Sequence, residues 1–297
     1  MKVLILGGSG LLGSKLVAAV GKLGHDVSYT FNEHRIKLGD FKGYKVDVSD
    51  VQSLIGAVKD VMPDVVIHTI SLKGTDIYET NRDFADKINI DGTRNILEAC
   101  KIAKPFIVYI SSAFVFDGKK NIFTEDDNPN PINYYGESKF AVEKMVMSSN
   151  LPFMITRVDQ LYGWTLSGQE GNTVTKNLRK LEMGENVEEI SDWYNNPTLA
   201  DNAAEVIAAL INKSRNGIYH VVGSDFMNRV EWGIKTAEIF GFDKNLIKSK
   251  NSEKLNLPAK RPNANLSNKK AQIDGGVKLL SVDEGLKFMR KQINKDD

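Results

Sequence analysis

A Rossmann-type α/β fold, with a doubly wound parallel sheet and a smaller C-terminal α/β substrate domain, is predicted for this chain, and three observations predict it. An apolar run, "KVLIL", passes straight into a glycine turn and then an amphipathic stretch. Short β-branched runs then alternate with longer helical periods over two thirds of the chain. The alternation keeps the order strand, helix, strand, so right-handed crossovers and a sheet covered on both faces follow.

Taken in order, "KVLIL" is the first strand, a helix runs from about Leu11 to Leu23, and "DVSYTF" is the second strand. "VQSLIGAVKDVM" has helical spacing, "DVVIHTI" reads as a buried strand, and "DFADKINIDGTRNILEACKIA" as one long helix. "FIVYISS" is a strand, "SKFAVEKMVMSS" a helix and "FMITRV" a further strand. Beyond Arg157 the rhythm is irregular to about Ile190; "LADNAAEVIAALIN" and "GIYHVV" then resume it as helix and strand. From Ser224 onward the chain is lysine-rich and mainly helical in period, interrupted by "LPAKRPNANLS". Residues 1–158 with about 197–223 are therefore read as a dinucleotide-binding domain, and 159–196 with 224–297 as a smaller substrate-binding domain.

At 297 residues the chain is long enough for a large core. Its 39 lysines and arginines against 38 aspartates and glutamates give no electrostatic reason to expect nucleic acid or an anionic membrane as partner. Cys100 is the sole cysteine and sits in an apolar period, so it reads as a core residue, and a reducing, cytoplasmic setting is expected. The apolar start is too short for a signal-peptide core, and no stretch approaches a membrane span. The four histidines are scattered and form no zinc spacing, so no metal is expected; His68 reads as packing behind the cofactor side.

The glycine turn carries the first chemistry. Gly7, Gly10 and Gly13, followed by Leu11 and Leu12 at the helix start, have the GxxGxxG spacing of short-chain dehydrogenases. A turn this tight needs residues without a Cβ, so that helix N-terminal amides approach a pyrophosphate. The second strand ends in "YTFNEHR", with Asn32 where an acid would hold the ribose of NAD. Arg35, and His34 beside it, can pair with a 2′-phosphate, so NADPH is expected; NADH is the alternative if Glu33 is a displaced acid and Arg35 a solvated loop residue. Asp47 and Val48 suit an adenine edge and face, and Thr69 and Ile70, at the end of the buried strand "DVVIHTI", with Ser71 after it, are placed on the cofactor site too.

In "NYYGESK", Tyr135 and Lys139 stand four apart on one helix face. A tyrosine of pKa about 10 trades protons poorly at neutral pH, and a neighbouring ammonium is expected to bring Tyr135 down. Ser111 and Ser112 lie at the carboxyl end of a strand, where open α/β sheets place ligands. A serine there can hold a carbonyl that Tyr135 protonates while a nicotinamide delivers hydride.

With those residues in place, the chain resembles the extended short-chain dehydrogenase/reductase superfamily, and within it most closely the dTDP-4-dehydrorhamnose reductase family. The stretches that carry the likeness are "GGSGLLG", "VDVSD", "PDVVIHTI", "NIDGTRNI", "ISSAFVFDG", "NPINYYGESKFAVEK", "ITRVDQLYG" and "RPNANLS". The resemblance implies that Ser112, Tyr135 and Lys139 are the catalytic set, that Asn89 supports the active-site helix, and that Arg157 and Arg261 lie near the cofactor and the nucleotide-sugar pocket. It also implies a nucleotide-sugar substrate and a homodimer. The chain departs from the family pattern at Ala113 and Phe114, where an aspartate and a tyrosine are usual, and at Gln160, which replaces a substrate-facing tryptophan. Trp193 could reach the sugar or pack a loop. A 4-keto reductase is the leading expectation. The alternatives are an epimerase or dehydratase that retains NAD, and a non-catalytic subunit resembling the regulatory β subunit of methionine adenosyltransferase.

Overall fold

A computed structural model of the protein describes residues 1–293; residues 294–297, the end of the lysine-rich segment, lie outside the described residues. In chain order the elements are β1 (Lys2–Leu6), α1 (Leu11–Lys22), β2 (Asp26–Phe31), β3 (Lys42–Lys45), α2 (Val51–Val61), β4 (Val65–His68), α3 (Thr75–Thr80), α4 (Arg82–Asp86) and α5 (Gly92–Cys100). They continue with β5 (Phe106–Ser112), α6 (Tyr134–Met147), β6 (Phe153–Val158), β7 (Leu161–Tyr162), α7 (Thr173–Glu182), β8 (Val187–Ile190), β9 (Tyr194–Asn195), β10 (Thr198–Leu199) and α8 (Ala200–Asn212). The last are β11 (Gly217–His220), β12 (Met227–Asn228), α9 (Arg229–Phe240), β13 (Ile247–Lys250), α10 (Lys269–Gly275) and α11 (Val282–Ile293).

Seven strands form one parallel sheet in the order β11-β6-β5-β4-β1-β2-β3. Its inner strands read as largely apolar runs because both faces are covered, whereas the edge strand β3, "KGYK", has no buried residue. Alternate residues of β1 serve the two faces: Val3 and Ile5 pack with α1 and α8, whereas Leu4 and Leu6 pack with α2, α5 and α6. The strand order reverses between β1 and β4, and a crevice opens there beyond the carboxyl ends. A separate apolar cluster, including Tyr162, Leu178, Trp232 and Leu286, joins α7, α9 and α11 beside the sheet. Cys100 is buried against α2 and β5, as its apolar period implied.

The expected long helix at 83–103 is interrupted. Lys87–Asp91 form a π turn between α4 and α5, and α3 precedes them. A π turn inserts one residue without leaving the helical path, so no proline or long linker marks it in the sequence. The irregular stretch after Arg157 also holds more order than its composition suggests. Asn172 and Thr175 make a capping box that starts α7, and β8 pairs in parallel with β13, far along the chain. Among the described residues no helix is long and apolar enough to cross a membrane.

Candidate active site

A cleft of about 630 Å³ occupies the crevice at the strand reversal. The glycine turn forms one wall. Gly7 has φ +82°, and a Cβ there would meet the Thr69 hydroxyl at 2.7 Å; at Gly13 it would stand 2.2 Å from the Gly7 carbonyl oxygen. Only hydrogen fits at either place. The Gly7 N–H donates to Thr30 Oγ1 at 3.0 Å and the Thr69 hydroxyl donates to the Leu6 carbonyl at 2.8 Å, which fixes the turn. α1 begins without a side-chain cap, so its first amides remain directed at the cleft, where a pyrophosphate would satisfy them. Gly10, Leu11, Leu12, Thr69, Ile70 and Ser71 line the same wall.

At the far end, Phe31, Asn32, Asp47 and Val48 line the cleft, and Arg35 is exposed on the rim with its guanidinium 5.8 Å from the Phe31 ring centre. The Asp47 carboxylate accepts from the Ser49 N–H (2.8 Å) and hydroxyl (2.7 Å), bonds that hold it below the usual carboxylate range. The turn, the free helix end and this adenine-sized end together fit a dinucleotide.

Ser112, Tyr135 and Lys139 meet in the middle of the cleft. β5 delivers Ser112 at its carboxyl end. Asn133 caps α6 by accepting from the Gly136 N–H (2.8 Å), which starts the helix at Tyr134, earlier than its apolar period suggested, and puts Tyr135 in the first turn. The Tyr135 ring is clamped edge-on between Tyr78 (4.9 Å) and Phe114 (5.3 Å). Lys139 donates to the Ile110 carbonyl at 3.2 Å and lies over the Tyr109 ring.

The protonation of the pair differs from expectation. Burial pushes Tyr135 up to about 12; the Ser112 hydroxyl acts against this, and the charge of Asp159 adds to it. Lys139 does not bring the phenol down here, because its ammonium is 5.8 Å from the Tyr135 ring centre and directed at a backbone carbonyl. Burial lowers Lys139 itself to about 8, against the pull of Glu143.

Several other expected residues stand elsewhere. Arg157, expected near the cofactor, is not among the residues lining the cleft: it is 1% exposed and forms a two-pronged ion pair with Glu143 (2.9 and 2.8 Å), against Phe116 and His220. A guanidinium on a central strand faces a helix, and only a buried carboxylate could hold it there. Asn89 is set one layer behind the cleft, in the π turn. It accepts from the Leu72 N–H (3.2 Å) and donates to Tyr78 and Ala85, so it shapes the wall rather than touching what binds. Ala113 turns into the core with Phe116 and Phe123, while Phe114 lines the cleft. His68 is buried against Tyr109 and bonded to Thr93. Trp193 and Arg261 line a separate hollow of about 430 Å³; Arg261 stacks on Trp193 and is paired with Asp76 at 2.9 Å, so its fork is already engaged.

Gln160 does line the cleft, with a left-handed backbone (φ +32°) and its side-chain oxygen accepting from Arg229 at 2.9 Å. Two further residues escaped the sequence reading. Asp159 lines the cleft at the end of β6, beside Ser112 on β5, and burial raises its carboxyl to about 7. The rule that singled out Ser112, a polar residue just past a parallel strand, also points to Asp159. Gln169, in a loop without periodic signal, donates to the Ser9 (2.9 Å) and Gly10 (3.1 Å) carbonyls and so buttresses the glycine turn from outside.

The parallel sheet order, the glycine turn at its centre and a Ser, Tyr and Lys gathered at the carboxyl edge define an extended short-chain dehydrogenase/reductase. Within that class, the family described as the RmlD substrate binding domain matches residues 1–294, and the chain belongs to it. It is 28% identical over 280 residues to methionine adenosyltransferase 2 subunit beta of Mus musculus, covering 92% of this chain and 80% of that one. It is 27% identical over 308 residues to dTDP-4-dehydrorhamnose reductase of Escherichia coli, covering 99% and 98%. The crystal structure of dTDP-4-dehydrorhamnose reductase from Bacillus anthracis in complex with NADP superposes with a TM-score of 0.84 at 26% identity, over 98% of each chain.

Proposed function

We propose that the protein is an NADPH-dependent reductase of the 4-keto group of a nucleotide-linked deoxy sugar, acting in the manner of dTDP-4-dehydrorhamnose reductase. The observation that carries this reading is the convergence of Ser112, Tyr135 and Lys139 on one cleft with the glycine turn. Relatives of the same length bearing that activity, one of them in complex with NADP, support it.

A reduced nicotinamide, when bound, supplies a hydride to the carbonyl carbon. The Ser112 hydroxyl orients and polarises the carbonyl oxygen. Tyr135, pushed up to about 12, carries its proton at neutral pH and is the group able to give it to that oxygen. Lys139, whose ammonium is directed at the Ile110 carbonyl and away from the phenol, is the residue that would hold the nicotinamide ribose. Phe114 and Tyr78 exclude water from the phenol and fix its plane. Arg35 would pair with the 2′-phosphate, favouring NADPH, with NADH the weaker ligand. We assign residues 1–158 with about 197–223 to the cofactor and 159–196 with 224–297 to the substrate, and a cytoplasmic location, a homodimer and a role in dTDP-rhamnose formation belong to the same reading.

The direct test is product analysis: incubation with dTDP-4-dehydrorhamnose and NADPH is expected to consume both and yield dTDP-rhamnose, with NADH at least about tenfold less effective. Consumption of neither compound would reject the reading. The 28% identity to methionine adenosyltransferase 2 subunit beta favours one second reading, a non-catalytic subunit. Co-purification with a methionine adenosyltransferase, together with silence on dTDP-4-dehydrorhamnose, would support that alternative.

A further inference from the structure

Residues 163–172 leave the end of β7, which contributes Leu161 to the cleft, and return at the cap of α7. The base of this loop is fixed. Asn172 Nδ2 donates to the Gly163 carbonyl at 2.7 Å, and Trp164 Nε1 donates to the Met289 carbonyl at 2.8 Å, with the indole edge-on to Phe240. The tip is not packed: Leu166 is 40% exposed, and a Cβ on Gly168 would meet nothing within 4 Å. A compact loop with a pinned base and an unpacked tip is able to swing without disturbing the core.

Two polar links hold the tip, and they reach opposite walls of the crevice. Gln169 uses both ends of its amide. Its oxygen accepts from the Leu166 N–H at 3.0 Å, which folds the tip and leaves the nitrogen facing the glycine turn. That nitrogen donates to the Ser9 (2.9 Å) and Gly10 (3.1 Å) carbonyls and to the Ser14 hydroxyl (3.2 Å). Glu170, next along, pairs at 3.4 Å with Lys73, which follows β4. Ser9, Gly10 and Lys73 all line the cleft, so the tip bridges it from the glycine turn to the β4 side. Lys73 and Glu170 are 66% and 73% exposed, and a pair so open to water holds little. Among the described residues no other hydrogen bond or ion pair joins 165–171 to the rest of the chain, so Gln169 is the main fastening.

We propose that residues 164–171 are a lid on the cofactor crevice and that Gln169 is its latch, a positioning residue that sets how long a dinucleotide stays bound. While its amide holds the Ser9 and Gly10 carbonyls, the crevice is bridged and its contents are retained; release follows opening. The inference rests on the dinucleotide part of the reading above and is independent of the ketone. Linkage makes the effect mutual: if closure raises affinity for the dinucleotide, the bound dinucleotide favours closure by the same factor.

The test follows NADPH fluorescence as excess NADP displaces it from wild type and from Gln169→Ala. The variant is expected to release NADPH about tenfold faster, with the association rate changed by less than about twofold. A merely structural Gln169 would instead lower the unfolding midpoint without cofactor and leave the release rate alone. A second measurement needs wild type only: cleavage by a glutamate-specific protease, with the sites located by mass spectrometry. Saturating NADPH is expected to slow cleavage after Glu170 by about tenfold and to leave cleavage after Glu185, in the exposed turn beyond α7, unchanged. Equal release rates for the two proteins, or cleavage after Glu170 indifferent to NADPH, would overturn the lid and leave the reductase reading standing. A wild type that binds no NADPH would overturn both.

Discussion

Tyr135 is the residue on which the chemistry turns, and its environment suits an acid better than a base. A half-buried phenol held between two aromatic edges stays protonated, and Lys139, lowered to about 8, is still cationic at neutral pH. The expected pH dependence is therefore a loss of turnover as pH rises through about 8, when the ammonium that would hold the nicotinamide ribose is lost; a profile level to pH 10 would contradict it. Asp159 makes a separate prediction for stability. Its folded pKa is raised above the unfolded value of 3.8, so the native state binds the extra proton between the two values and stability falls as pH rises to about 7. Asp159→Asn should match wild type below pH 4 and exceed it above pH 7 by on the order of a few kcal/mol, read from denaturant midpoints at both pH values. At this scale the sequence was informative where a rule of spacing applied: the glycines, Tyr135 with Lys139, and Ser112. It was silent where a side chain's direction decided the matter. Nothing local distinguishes Arg157, turned to a buried Glu143, from an arginine facing the cleft, and Ala113 and Phe114 face opposite sides although adjacent.

At the scale of elements, three local structures present the site. The glycine turn is the least tolerant. A Cβ at Gly13 would stand 2.2 Å from a backbone oxygen that cannot swing away, so Gly13→Ala is expected to weaken NADPH binding by more than about tenfold in a fluorescence titration. α6 depends on Asn133, which caps it and also donates to the Lys260 carbonyl at 2.6 Å, tying the catalytic helix to the C-terminal segment. Asn133→Ala should cost about 1 kcal/mol or more, because both bonds go. Beneath both strands of the site lies the Glu143–Arg157 pair, to which Ser111 also donates at 2.5 Å. Glu143→Gln would leave Arg157 buried without its charge partner, at a cost of about 3 to 5 kcal/mol in chemical denaturation. Six of the seven strands of the sheet were legible to within about two residues, because strands buried on both faces are largely apolar runs; β3, an edge strand of sequence "KGYK" with no buried residue, was not. α7, β8 and β13 were not: a strand such as "VEEI" acquires its identity from a partner some sixty residues away, and no local period records that.

The whole molecule joins a doubly wound sheet, whose strand reversal makes the crevice, to a second apolar cluster under α7, α9 and α11. Segments from that region reach back to the sheet through Gln160–Arg229, Gln169 on the glycine turn and Arg261–Asp76. A ligand spanning the crevice should therefore stabilise the chain as a unit. Saturating NADPH, at about 100 times its dissociation constant, is expected to add roughly 2.7 kcal/mol, with a single thermal transition moving upward and NADH giving a smaller shift at the same concentration. The measurement that tests the central claim most directly is NADPH oxidation with freshly generated dTDP-4-dehydrorhamnose by wild type and by Tyr135→Phe, with NADPH binding followed in the same samples. Oxidation by wild type, a loss of roughly 100-fold or more in the variant and unchanged NADPH binding are the predicted result. Equal turnover by the two proteins, or none by a wild type that binds NADPH, would contradict it.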